Sequence, residues 1–336
     1  MRQEAERAKT DVTEVAPNVL RLQLPIDMPG LGHVNTYALL DERGAALVDP
    51  GVPGDASWTW LLARLKEAGI PLKRVHTAII THSHFDHFGG AAQLAEETGA
   101  AVVTHARFTT FHDDIACTDP THDHGDPAEL PNRERTGKTP WGTKSMLPTA
   151  DDLKQFGGLL NPHPTKRVRH GDVLQLAGRE WVVHHTPGHT IDHVCFHDPA
   201  EGVLLSGDHV LPTITPHIGG DTETDPLDDF FRSLEAIAQV GPITTVLPAH
   251  GHPFEDLAGR VKAIEEHHLE RLQTLIGICH ELDWAAVPAI SQRLFQERSW
   301  GHMAESETWG HLEHLRLTGR AQRRLNADGL LEYLAA

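Results

Sequence analysis

The chain has 336 residues, 39% hydrophobic and 23% charged, enough for one large domain plus a smaller one. Its formal net charge of −18 argues against a nucleic-acid partner, because such binding is largely phosphate neutralisation by Lys and Arg. The first residues, MRQEAERAKTDVTEV, lack an apolar centre, no apolar run approaches membrane-spanning length, and the three cysteines (Cys117, Cys195, Cys279) are far apart; the expectation is a reduced, cytoplasmic protein with no membrane partner.

NVLRLQL and VNTYALL read as strands, followed by AALVD, which stops at the turn Pro50-Gly51. ASWTWLLARLKEAG carries apolar residues at helical spacing and a terminal glycine, so it predicts a helix. TAII is a short buried strand running into THSHFDH, with the helix GGAAQLAEETG and the strand AAVVT after it. This β-β-β-α-β-α-β order implies a layered α/β protein.

Over 107–165 the pattern dissolves into Pro, Gly and charge. The segment reads either as a solvated excursion or as a substrate-covering lid. On it, Phe111 and Trp141 suit an apolar pocket wall or core packing under the lid. Strands resume with DVLQLA, REWVVHHT, HVCFHD and GVLLSGD, then TTVLPAHG. A long helical pattern follows, with Leu257, Val261, Ile264, His268, Leu272, Leu275, Cys279 and Leu282 three or four apart. The tail reads as a helix closed at Gly319 and two short strands joined by Asn326-Ala327-Asp328-Gly329, an order that resembles a winged-helix module.

Four places share one feature: a strand ends and ionisable side chains begin. They are THSHFDH at 81–87, TPGHT at 186–190, SGDH at 206–209 and PAHG at 248–251. Active sites of α/β proteins gather at strand ends, so the four can converge. Imidazole nitrogen and carboxylate oxygen suit borderline or hard dications, and the residues suffice for two, with an Asp able to bridge. Singly, His189 or His250 fits a hydrogen-bonded turn and Asp208 a turn cap. His82-Ser83-His84-Phe85-Asp86-His87 does not, since helix capping needs no three imidazoles.

In these motifs the sequence resembles the metallo-β-lactamase-fold hydrolases, whose signature is HxHxDH followed by single His, Asp and His residues. The resemblance implies a four-layer αββα sandwich over 15–256, with 107–165 as an irregular insertion and 257–336 as a helical, winged-helix-like domain. It implies that His82, His84 and His189 hold one metal, that Asp86, His87 and His250 hold the other, and that Asp208 bridges them. Zinc, two per chain, is the expected cofactor; manganese and iron also fit these donors. A water shared by two cations loses its proton near neutral pH, and Asp86 is the catalytic candidate that orients it and takes that proton. Asp49 is expected to orient the ligand loop, and Thr190 and His193 either to fix a ligand imidazole or simply to build the turn. His217 is a candidate substrate contact.

Class B β-lactamases typically carry a cysteine where this chain has Asp208, which disfavours β-lactam hydrolysis. The order of the segments after Asp208 resembles the LACTB2-like branch of the family. The expected activity is hydrolysis of a small-molecule ester, thioester or lactone. The alternatives are a metal-dependent endoribonuclease or phosphodiesterase, suggested by Arg316, Arg320, Arg323 and Arg324, and a hydrolase whose tail serves homodimerisation or nucleic-acid binding.

Overall fold

The computed structural model describes residues 2–110, 125, 138–144, 162–219 and 224–336. Seven strands pair in chain order into one sheet: β1 (Thr13–Ala16), β2 (Val19–Met28), β3 (Leu31–Asp41), β4 (Gly44–Val48), β5 (Val75–Ile79), β6 (Ala101–His105) and β7 (Lys166–Val168). The first four are antiparallel neighbours; from β4 onward pairing is parallel, with α1 (Asp55–Glu67) and α3 (Ala91–Thr98) as crossovers and a one-turn α2 (Phe85–Phe88) before α3.

The second sheet contains β8 (Val173–Leu176), β9 (Arg179–His185), β10 (Val194–Asp198), β11 (Val203–Gly207) and β12 (Thr245–Pro248), in the order β12-β11-β10-β9-β8. Only β11 and β12 run parallel, joined through α4 (Pro226–Ala238). There follow α5 (Leu257–Leu282), β13 (Ala285–Ala286), α6 (Val287–Leu294), α7 (His302–Leu317), β14 (Ala321–Leu325) and β15 (Leu331–Ala335), whose strands form a small sheet in the order β13-β15-β14.

The two-residue period of a strand sorts side chains into layers. Tyr37, Leu39, Ala46 and Val48 meet Trp181, Val183, Phe196 and Leu205 between the sheets. Their neighbours Ala38, Ala45 and Leu47 face Leu61, Leu65 and Leu94 of the first helical layer. On the far side Cys195, Leu204 and Val246 pack under Phe230, Leu234 and Ile264. The result is the expected αββα sandwich, extended by C-terminal helices that share the core of its second helical layer.

The buried stripe of α5 is the one its spacing predicts, Leu257 to Cys279. The hairpin also follows the reading: Asn326 Oδ1 accepts from the backbone N–H groups of Asp328 and Leu330 and closes the turn. The short strands β1, β7 and β13 escape it, having too few residues for a visible alternation. Trp141 packs in the core against the C-terminal helices. Its ring centroid lies 5.8 Å from that of Trp309, and its indole N–H donates to Glu305 at 2.9 Å. Phe111 and most of the 107–165 segment proposed as a lid lie outside the described residues. Among the described residues, no helix is long and apolar enough to cross a membrane.

Trp181 is fully buried between the sheets. Trp181→Ala should cost about 3–5 kcal/mol of unfolding free energy by urea titration. A loss below about 1 kcal/mol would contradict this placement of the core.

Candidate metal centre

Four loops leave neighbouring strand ends and meet at one edge of the sandwich. The first is set by Asp49, just after β4, which takes a left-handed backbone at φ 53°. A non-glycine residue pays for that conformation only where the surroundings hold it. Here the side chain does: Oδ1 accepts from the Thr81 backbone N–H at 2.8 Å, and Oδ2 accepts from the Thr81 hydroxyl at 2.7 Å and from His87 Nδ1 at 2.9 Å. With its proton given to Asp49, the Thr81 hydroxyl accepts from His82 Nδ1 at 3.0 Å. Both rings are thereby turned with Nε2 inward.

The other loops follow the same logic. His189 Nδ1 donates to the His217 carbonyl at 2.6 Å, and His250 Nδ1 donates to the His33 carbonyl at 2.7 Å. The loop carrying His250 is tied to β3, where Asn35 Nδ2 donates to the carbonyls of Pro248 and Gly251 and the Tyr37 hydroxyl donates to that of Pro248. His193 Nε2 accepts from the Asp208 backbone N–H at 3.1 Å, while its Nδ1 donates to Thr186 Oγ1 at 2.7 Å. Gly207 permits this approach: its φ is 52°, and a Cβ there would lie 2.6 Å from His193 Nε2.

The free ends converge in two groups. His84 Nδ1 lies 3.0 Å from His82 Nε2 and 3.1 Å from His189 Nε2. The ligand atoms of these three residues and Asp208 all fall within 4.8 Å of one another, as do those of Asp86, His87 and His250. Asp208 stands between the groups: Oδ2 is 3.6 Å from His189 Nε2 and 3.5 Å from His87 Nε2, and Oδ1 is 3.4 Å from His250 Nε2. Asp86 Oδ2 is 3.4 Å from His87 Nε2 and 3.5 Å from His250 Nε2.

Electrostatics separates the groups. Burial holds His82 well below the ordinary imidazole range, takes His84 down to about 3 and lowers His189. Burial opposes charge on His87 and His250 too, but nearby carboxylates overcome it. Asp86, Asp208 and Asp49 hold His87 well above its usual value, and Asp208 and Asp86 raise His250 to about 10. Burial also works against the anions Asp86 and Asp208, yet those two imidazoles hold both below the carboxylate range.

The residues fit a metal on their own evidence. His87 Nε2, His250 Nε2 and Asp208 Oδ1 are buried side-chain atoms with no hydrogen-bond partner. Such atoms are costly unless something coordinates them. Their donor set, imidazole nitrogen with carboxylate oxygen, is that of divalent zinc-type sites. All seven residues of the four sequence motifs therefore meet in one place.

The remaining site candidates divide. Asp49 and His193 contact the centre as described. His217 reaches it through its backbone carbonyl, while its ring turns toward Glu307. Thr190 makes no side-chain hydrogen bond among the described residues; its carbonyl accepts from Gly188 N–H. Sequence reading missed Thr81, Thr186 and His33. His33 acts through its carbonyl, which takes the His250 Nδ1 proton, and through its ring, whose Nε2 accepts from the Gly251 N–H at 3.1 Å; both partners lie more than two hundred positions away in sequence.

The metallo-beta-lactamase superfamily profile matches residues 29–250, and the chain belongs to that superfamily of metal-binding hydrolases. It is 25% identical to the probable metallo-hydrolase YqjP of Bacillus subtilis, over 89% of this chain and 92% of that one. It is also 25% identical to the acyl-coenzyme A thioesterase MBLAC2 of Bos taurus, covering 64% of this chain and 67% of the relative. The crystal structure of a metallo-beta-lactamase family protein from Thermus thermophilus superposes with a TM-score of 0.76 at 28% identity, over 96% of this chain and all of the other.

Asp49 bears on the centre from outside it, bonding directly to His87 Nδ1 and reaching His82 through Thr81. Asp49→Ala should therefore weaken metal retention by about 10–100-fold in chelator competition while the protein stays folded. Unchanged retention would contradict the role given to its carboxylate.

Proposed function

We propose that the chain is a binuclear metallo-hydrolase of small esters and thioesters. The observation that carries the reading is Asp208, whose two carboxylate oxygens face His189 and His87 on one side and His250 on the other. His82, His84 and His189 would hold one ion, Asp86, His87 and His250 the second, with Asp208 shared. Zinc is the ion proposed for these donors. Divalent ions held there supply Lewis acidity toward a carbonyl oxygen and acidify water at neutral pH.

The chain's own residues do the rest. The Asp86 carboxylate would accept the proton of the attacking water and pass it to the leaving group. Asp49, Thr81, His33 and the His217 carbonyl keep the imidazole rings from turning, so the centre needs no rearrangement during the reaction.

A thioester is favoured over a β-lactam because Asp208 stands where class B β-lactamases typically carry a cysteine, and because the relative named above is an acyl-coenzyme A thioesterase. Nucleic acid is disfavoured by charge placement. Arg316 and Arg323 both pair with Glu313, and Arg324 pairs with Glu332, so three of the four tail arginines are already engaged within the chain. In this reading residues 15–256 carry the chemistry, and the winged-helix-like 257–336 serves the centre.

An aryl ester, an acyl thioester, a lactone, a phosphodiester and single-stranded RNA, offered to the zinc-loaded protein, separate these readings. Ester or thioester turnover should appear, disappear on chelation, return with zinc, and be absent from Asp208→Ala and His82→Ala. RNA or phosphodiester cleavage without ester turnover would replace the reading with a nuclease.

A further inference from the structure

Residues 211–219 run past the centre and present the His217 carbonyl to His189 Nδ1 at 2.6 Å. This segment is gripped by residues outside the 29–250 span that the superfamily profile matches. Glu4 accepts from the backbone N–H groups of Thr213 and Ile214 and from the Thr213 hydroxyl. Arg260 of α5 donates to the carbonyls of Leu211 and Ile214. From α7, Glu307 Oε2 lies 3.5 Å from His217 Nδ1, and its other oxygen pairs with Arg271 of α5. The backbones are close as well: a Cβ at Gly310 of α7 would lie 3.0 Å from the Ile218 carbonyl oxygen, and one at Gly219 would lie 2.6 Å from Ser306 Oγ.

We propose that Glu307 is a positioning residue for the metal centre. It holds the His217 ring, the ring holds its own backbone, and the His217 carbonyl sets the rotation of His189. The inference rests on the reading of His189 as a metal ligand. It gives the C-terminal helices a task in the hydrolase itself: α7 completes the support of a residue on the β9–β10 loop.

A metal of its own is the competing explanation for this corner, because ligand atoms of His268, Glu307 and His311 lie within 4.8 Å of one another. The contacts favour support instead. His311 Nδ1 donates to the Glu307 carbonyl at 2.7 Å, which leaves its Nε2 to accept from His268 Nδ1 at 3.0 Å. A cation would break that bond and share Glu307 with the Arg271 guanidinium, placing like charges together in a buried setting. Arg271 and the two imidazoles thus fasten α5 to α7 and fix Glu307.

Cobalt(II) titration of the full chain, read by visible d–d absorption and by chelator competition, tests this on the wild type, Glu307→Ala, Glu307→Gln, His217→Ala and the double alanine variant. His217→Ala keeps the carbonyl but loses the ring, so it carries the test even should Glu307→Ala fail to fold. Each alanine variant should weaken one of two bound equivalents by about tenfold or more and shift its bands. Glu307→Gln, which keeps an acceptor oxygen, should restore most of the loss, and the double variant should add little to either single one. Unchanged spectra and affinities, or fully additive losses, would overturn the proposal. A third bound equivalent that vanishes in Glu307→Ala would overturn it in favour of a cation at His268 and His311. A wild type that binds no cobalt would sink the metal-centre reading and this inference with it.

Discussion

Two buried carboxylates, Asp86 and Asp208, stand within 3.4–3.6 Å of imidazole nitrogens turned toward them, and this concentration of acceptors governs the edge of the sandwich. Buried anions are stable only when charge and hydrogen bonds compensate them. Without an ion, His87 and His250 supply the compensation by drawing in protons against their own burial. A divalent cation would do so more completely, since the orphaned nitrogens and the unpartnered Asp208 oxygen could then coordinate it. The centre is thus a place where the fold demands positive charge.

Everything around it keeps that demand from relaxing. Asp49 holds an otherwise unfavourable backbone to reach both Thr81 and His87. Carbonyls of His33 and His217, which can only accept, fix the tautomers of His250 and His189. Each support comes from a different strand end or loop, and the inter-sheet core of Trp181, Phe196 and Leu247 holds those ends in register. Stability of the layers and geometry of the centre are therefore one problem. Both flanks of the family-matched span join in: Glu4 before it and Arg260 and Glu307 after it all bear on the 211–219 segment.

The sequence makes the αββα layers readable because its strands and long helices repeat at periods of two and three to four, over segments such as VNTYALL and α5. The seven residues of the centre are readable for a different reason: no structural need explains their density after four strands. What stays hidden acts at long range or through backbone. His33 and His250 are 217 positions apart, and their link is a carbonyl. Glu307 is one of several acidic residues on α7, and only the packing of that helix on Ile218 and His217 distinguishes it. The tail arginines look like a basic run until Glu313 and Glu332 are seen beside them. Trp141 offers two readings in sequence, and its contact with Trp309 decides for packing.

The central claim is that this edge holds two ions sharing one carboxylate. Anomalous diffraction from crystals of the zinc-loaded protein, recorded on both sides of the metal absorption edge, tests it most directly. The account predicts two peaks, one among His82, His84 and His189 and one among Asp86, His87 and His250, with Asp208 in contact with both. No peak at this edge, or a single peak that Asp208 does not touch, would contradict it.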